Sequence, residues 1–203
     1  NNIGYLSDIV DIVYVSAGRS GRHSLAVDSN GYVYAWGYNY SGQCGDGTSG
    51  SQNETRETPV LVLDDAPQTN NVYLGNIAHI IAVEAGADHS LALGDDDGYV
   101  WEWGANNGST CPQKVPGVGG VGYLNDIVGI STCEHSVAVD SNGFVYEWTN
   151  SNPYKVTGGE MGTTFLEDIV EVGAGLDYSM ARTSDGHVLV WDVGGSPAYV
   201  GDG

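Results

Sequence analysis

Apolar residues along this chain come in short runs, separated by clusters of Gly, Asn, Asp and Ser. In the run Tyr32-Val33-Tyr34-Ala35-Trp36, a period of two places Tyr32, Tyr34 and Trp36 on one face and Val33 and Ala35 on the other. Both faces are apolar, so the pattern predicts a strand in a sheet covered on both sides. β-Branched and aromatic residues dominate the runs, which suits strands. The breaks Asn30-Gly31 and Asn142-Gly143 suit tight hairpins, because both residue types tolerate positive φ. No stretch carries a 3.6-residue apolar period, so the expected class is all-β.

The pattern recurs four times. Ile12-Val13-Tyr14-Val15-Ser16-Ala17-Gly18 returns as Ile80 to Gly86, as Ile127 to Cys133 in worn form, and as Ile169 to Gly175. A His-Ser step follows at His23-Ser24, His89-Ser90 and His135-Ser136, with Tyr178-Ser179 in the fourth copy. Each copy then has an acidic or Asn-Gly turn, a run ending on Trp36, Trp103, Trp148 or Trp191, and a Pro with Val three residues later. The units span approximately 6–63, 74–116, 124–157 and 165–201 of a single domain, 1–203. Four short strands per unit, apolar on both faces, predict small sheets stacked on copies of themselves, as in a propeller or solenoid.

These residues resemble the regulator-of-chromosome-condensation (RCC1-like) repeat family. The first unit carries the resemblance most fully: Ala17-Gly18, His23-Ser24-Leu25-Ala26, Asn30-Gly31, Val33-Tyr34-Ala35-Trp36-Gly37-Tyr38-Asn39 and Gly42-Gln43-Cys44-Gly45-Asp46-Gly47. The resemblance implies four-stranded blades of a β-propeller, here four of them, forming a small ring, a partial arc or an open stack. Later units are shorter: Trp to Pro takes 23 residues in the first, then 9, 5 and 6, so the Gly-Gln loop is lost after unit one. That compaction, and the turn Trp103-Gly104-Ala105-Asn106, resemble bacterial-type extracellular members, including a secreted β-lactamase-inhibitor propeller.

Composition narrows the function classes. Six Lys and Arg against 26 Asp and Glu give a net charge of −20, which argues against nucleic acid or an anionic membrane as partner. No apolar run approaches the roughly 20 residues of a spanning helix, so no membrane insertion is expected. The chain opens on Asn1-Asn2 without Met, which suggests a processed or excised piece.

His, Ser and acidic residues invite a hydrolase reading, but a triad is a single constellation and the His-Ser step repeats in three units. His23, His89 and His135 are therefore expected to be structural hydrogen-bonding groups between blades, with Trp36, Trp103, Trp148 and Trp191 as their companion repeat positions. The alternative, three imidazoles converging on the propeller axis around a metal, has no fourth histidine. Asp95-Asp96-Asp97-Gly98 has the oxygen-rich look of a calcium loop, yet a hairpin needs an acidic-Gly turn anyway. Neither a cofactor motif nor a metal site is expected, and the chain is not expected to be an enzyme. Cys44 is expected to be a buried thiol. Cys111 and Cys133 lie 22 residues apart in loops joining units two and three, and a disulfide between them fits an extracellular setting.

Sequons at Asn39, Asn53 and Asn107 are expected glycan acceptors on loops after the Trp strand. With the acidic, Lys-poor composition they point to an extracellular or cell-surface protein. The expected function is a non-catalytic binding or scaffolding module for a protein or glycan. Tyr38, Tyr40 and Tyr73, beside the loop from Gly42 to Glu57, are the first contact candidates. Two alternatives stand beside it: a structural subunit of an extracellular fibre or surface layer, self-associating through open blade edges, and a proteinaceous enzyme inhibitor.

Overall fold

A computed structural model describes residues 9–18, 22–50, 55–64, 72–158 and 164–200. Each unit folds as one antiparallel four-stranded sheet in simple up-and-down order. Blade one holds β1 (Ile12–Ala17), β2 (His23–Asp28), β3 (Val33–Tyr38) and β4 (Thr55–Leu61). Blade two holds β5 (Ile80–Ala85), β6 (His89–Gly94), β7 (Val100–Gly104) and β8 (Ser109–Lys114), entered through a single helical turn, α1 (Leu74–Ile77). Blade three holds β9 (Ile127–Thr132), β10 (Ser136–Asp140), β11 (Val145–Trp148) and β12 (Tyr154–Lys155). A small ribbon of β13 (Thr157–Gly158) and β14 (Thr164–Phe165) leads to blade four, with β15 (Ile169–Ala174), β16 (Tyr178–Thr183), β17 (Val188–Asp192) and β18 (Ala198–Tyr199). The chain is all-β apart from short turns, in propeller-type blades.

The first strands of successive blades pack side by side, which puts them at the inner radius. The closing prolines, Pro59 and Pro112 among them, lie on the outermost strands β4 and β8, where a missing N–H costs no ladder bond. The valine three residues after each proline returns to the third strand: Val62, Val115, Val156 and Val200 donate to Val33, Val100, Val145 and Val188.

The core lies between blades rather than within them. One apolar cluster joins Leu25, Val27, Val33 and Ala35 of blade one to Val83, Trp101 and Trp103 of blade two. A second joins blades two and three through Leu91, Val100, Ile127 and Trp148, and a third joins blades three and four through Val137, Val145, Ile169 and Trp191. The hairpin turns lock the same interfaces. Gly98, at φ +60°, would place a Cβ within 2.5 Å of Ile127 N, and its carbonyl accepts that N–H. Gly143 meets Ile169 in the same way. Only glycine combines that φ with so close an approach.

Candidate functional site: the blade couplings and the loop face above them

Each motif histidine is buried and points at the next blade; His23 and His89 are the first residues of their blades' second strands, and His135 immediately precedes its own. His23 Nε2 lies 2.9 Å from Ser90 Oγ, His89 Nε2 3.0 Å from Ser136 Oγ, and His135 Nε2 2.7 Å from Ser179 Oγ. The serine in turn donates back to the blade the histidine came from. Ser90 donates to the carbonyl of Gln43 at 2.9 Å, and the Trp103 indole donates to that oxygen at 2.8 Å. At the next interface the acceptor is the Glu102 carboxylate, reached by Trp148 Nε1 at 3.1 Å and Ser136 Oγ at 3.5 Å. At the third it is Glu147, reached by Ser179 Oγ at 2.5 Å and Trp191 Nε1 at 3.2 Å.

Glu102 and Glu147 take over the task of a loop. In blade one the long loop after Trp36 brings the Gln43 carbonyl into the interface, held there by buried Asn39, whose side-chain oxygen accepts from Cys44 N. Blades two and three lack that loop, and a fully buried carboxylate one residue before the tryptophan supplies the missing acceptor. Ala35 and Val190 hold the equivalent positions in blades one and four. The two glutamates are the residues that sequence reasoning passed over. Their signal was a charged residue in the middle of a run otherwise apolar on both faces.

The wiring also decides the chemistry. A carbonyl only accepts, so Ser90 must donate to Gln43 and accept from His23, whose Nε2 therefore carries the proton. The same order, imidazole to hydroxyl to carboxylate, follows at the third interface. A nucleophilic triad runs the other way, with the hydroxyl donating to the imidazole. Burial works against charge on two of these imidazoles: His89 is pushed down to about 3, first by desolvation and then by His23 and His135. His135 is lowered by burial, against the opposing pull of Glu147. Burial raises Glu102, while its hydrogen bonds from Ser151, Asn106, Trp148 and Ser136 hold it down.

The sequence-derived sites separate on this frame. Asn39 is a correction: it is wholly buried, and its amide donates to Asp46 and Thr48, so it closes a loop rather than presenting a glycan. Asn107 is half-buried with its amide bonded to the Glu102 carbonyl and the Ser109 N–H. Asn53 lies outside the described residues. Cys111 and Cys133 are not bridged to each other, a second correction. Cys111 is on the outermost strand of blade two, whereas Cys133 accepts from Ala87 near its innermost strand. Three strand spacings of about 4.8 Å separate those positions, well beyond the roughly 4.4–6.8 Å between bridged Cα atoms. Cys44 is buried. Among the described residues no group of three or more His, Cys, Asp or Glu is arranged for a metal ion.

The structure brings Tyr38 and Tyr40 together, stacked with ring centroids 6.2 Å apart, with the Arg22 guanidinium 5.9 Å from the Tyr38 ring. Tyr73 is at the opposite end of the blades, at the start of α1, where Asn76 bonds Tyr32. The loop from Gly42 is split as well. Its first residues plug the interface to blade two, with Gly47 N donating to the Thr110 carbonyl.

Beside Tyr38, the residue preceding each coupling position is exposed: Arg22, Asp88, Glu134 and Asp177 in order across the four blades. Two clefts lie between these loops. One, of about 300 Å³, is lined by Arg22, Tyr38, Asp88 and Glu134. The other, of about 530 Å³, is lined by Glu134, Thr149, Asp177 and Asp192 with the edge of His135.

Residues 30–93 match the family model described as the regulator of chromosome condensation (RCC1) repeat, and residues 12–43 match a second model of that description. The longer match runs from the hairpin of blade one into β6, so the sequence repeat is offset from the blade and straddles an interface. The chain is 29% identical to human E3 ubiquitin-protein ligase HERC2 over 205 residues, covering 91% of this chain and 4% of that protein. It is 29% identical to the Ultraviolet-B receptor UVR8 of Arabidopsis thaliana, covering 90% of this chain and 41% of the receptor. It is 28% identical to Protein RCC1 of Candida albicans, covering 85% and 42%. The chain thus spans less than half the length of each. Among solved structures it superposes on human WBSCR16 with a TM-score of 0.69 at 20% identity, covering 94% of this chain and 52% of the other. It superposes on Prp20p of Saccharomyces cerevisiae with a TM-score of 0.66 at 23% identity, covering 89% and 44%.

Proposed function

Starting from the similarity of residues 12–93 to the RCC1 repeat and of the chain to RCC1-type relatives, we propose that it is a non-catalytic module that binds a protein through a basic segment of that partner. The single observation that carries this reading is the exposed acidic row Asp88, Glu134 and Asp177, joined by Asp192 in the larger cleft. Each of the three acidic residues precedes a blade's second strand, so the rigid blade couplings fix the spacing of the row. The larger cleft carries Glu134, Asp177 and Asp192 and so a single sign of charge, which focuses potential and favours a cationic partner, and the net charge of −20 adds to that field. Stacked Tyr38 and Tyr40 border the same face and offer apolar contact area at low entropic cost.

Relatives support a protein partner as a class: yeast RCC1 is solved bound to Kap60, and Prp20p is described with binding to Gsp1p and histones. The non-catalytic part of the proposal rests on the use already made of each interface histidine and serine as a blade coupling. An extracellular or cell-surface setting remains part of the proposal on the acidic, Lys-poor composition alone.

The test is fluorescence anisotropy with a labelled Lys/Arg-rich peptide and its Glu-substituted counterpart. The basic peptide is expected to bind, with affinity falling steeply as salt rises. Asp88→Asn, Glu134→Gln and Asp177→Asn together are expected to weaken it at least about tenfold. Equal binding of both peptides, or no change in the triple variant, overturns the reading.

A further inference from the structure

Of the sealed side-chain nitrogen and oxygen atoms among the described residues, one has no hydrogen-bond partner: Nδ1 of His135. The other ring nitrogen is in use. Nε2 meets Ser179 Oγ at 2.7 Å, and that hydroxyl donates on to Glu147, so Nε2 carries the proton and Nδ1 is left as a lone-pair acceptor. Buried acceptors are normally satisfied, and this one calls for a donor. The bond to Ser179 fixes the ring, so the acceptor is held in place before anything binds.

His135 is 1% exposed and lies in the floor of the cleft of about 530 Å³ between blades three and four. Leu176, a loop residue beside the ring that is 40% exposed, shares that lining. The walls are acidic. Glu134, Asp177 and Asp192 come from three different loops or strand ends and are all exposed, and no hydrogen bond or ion pair engages their carboxylates among the described residues. The smaller cleft carries its own guanidinium, Arg22, with Asp88 and Glu134. The larger has no basic residue in its lining.

The missing group must donate in several directions and accept nothing. A metal ion fits poorly, because these side chains are not arranged around one. An ammonium offers three donors at a point, whereas a guanidinium spreads five in a planar fork, which suits acceptors standing on separate loops. Building on the basic-partner reading, we propose that this cleft is the seat of an arginine guanidinium from the partner's segment, which donates to His135 Nδ1 and to the carboxylates of Asp177 and Asp192 as Leu176 turns aside. His135 then serves twice, with Nε2 coupling the blades and Nδ1 reading the ligand.

The test compares two labelled peptides of equal length and charge on the whole chain by fluorescence anisotropy, one with arginine and one with lysine at every basic position. The arginine peptide is expected to bind at least about fivefold tighter, because a fork replaces a point donor. Asp192→Asn, at an exposed position outside the couplings, is expected to bring the two peptides within about twofold of each other, while Asp88→Asn, in the other cleft, weakens both alike. In a chain with isotope-labelled histidine, the Nδ1 magnetic-resonance signal of His135 is expected to move on addition of the arginine peptide, and that of His89 to stay. Equal affinity for the two peptides, or a His135 signal that never moves, overturns the inference; the basic-partner reading still stands if both peptides outbind the Glu-substituted one. If neither peptide binds, the basic-partner reading fails and L-argininamide decides. A His135 shift that Asp192→Asn abolishes sustains the guanidinium site with a small molecule as its ligand, and no shift overturns it.

Discussion

Replacing Glu102 by alanine tests whether a buried carboxylate really stands in for the lost loop. Glu102 is fully buried and accepts from Trp148 Nε1 at 3.1 Å, Asn106 Nδ2 at 3.1 Å and Ser136 Oγ at 3.5 Å, as well as from Ser151. Alanine leaves the Trp148 indole with no acceptor in a sealed interface. Ser136 keeps an alternative in Thr132 Oγ1 at 3.2 Å, and Ser151, half-buried at the rim, turns to water. The structure therefore charges the variant with one stranded donor, about 1–3 kcal/mol, plus about 1–2 kcal/mol for the cavity left by the side chain. Relief of the carboxylate's own desolvation, visible in its raised pKa, offsets part of this. The expected net loss is about 3 kcal/mol, on the order of the cost of breaking one side of a buried polar pair. Glu102→Gln keeps an oxygen facing Trp148 and is expected to cost less than about 1.5 kcal/mol. Urea titrations followed by tryptophan fluorescence and by far-ultraviolet circular dichroism give both values, with coincident curves and unchanged slopes required for the comparison. A Glu102→Ala chain within about 1 kcal/mol of the parent, or a Gln variant as damaged as the Ala variant, would falsify the acceptor role, since ordinary surface substitutions fall inside that range.

Two further outcomes are expected. The pKa of His89 is lowered to about 3 in the folded chain from an ordinary value near 6.5, so its stabilising share is complete above about pH 6.5 and is lost as pH falls toward 3. Between pH 7 and 4.5 the parent should lose about 2 kcal/mol relative to a His89→Gln chain; Glu102 and the net charge act in both proteins, so parallel urea midpoints in the two would refute the assignment. Gly98→Ala is expected to cost at least about 2 kcal/mol more than Gly186→Ala, because both sit at positive φ but only Gly98 would drive its Cβ into Ile127, while Gly186 has open space; equal melting temperatures would show that the hairpin does not lock the interface.

The sequence by itself determined the blade. Its period-two runs, Asx-Gly turns and fourfold recurrence specify local pairing, which operates over a few residues and leaves its mark in adjacent positions. The interface role of His23, His89 and His135 was legible for the same reason: a group recurring at one place in three of the four units belongs to the contact between units. The tertiary structure decided everything carried by contacts some 45 residues apart. Glu102 reads as an ordinary polar strand residue until Trp148, 46 positions on, donates to it. Asn39 reads as an exposed sequon until its loop folds over it to carry Gln43 to Trp103. Cys111 and Cys133 are near in sequence yet sit at opposite radii of neighbouring sheets, since each blade sends its chain from inner to outer edge and back. The direction of the couplings exists only once donors and acceptors from different units meet, because a hydrogen bond is a property of two partners and the sequence displays them one at a time.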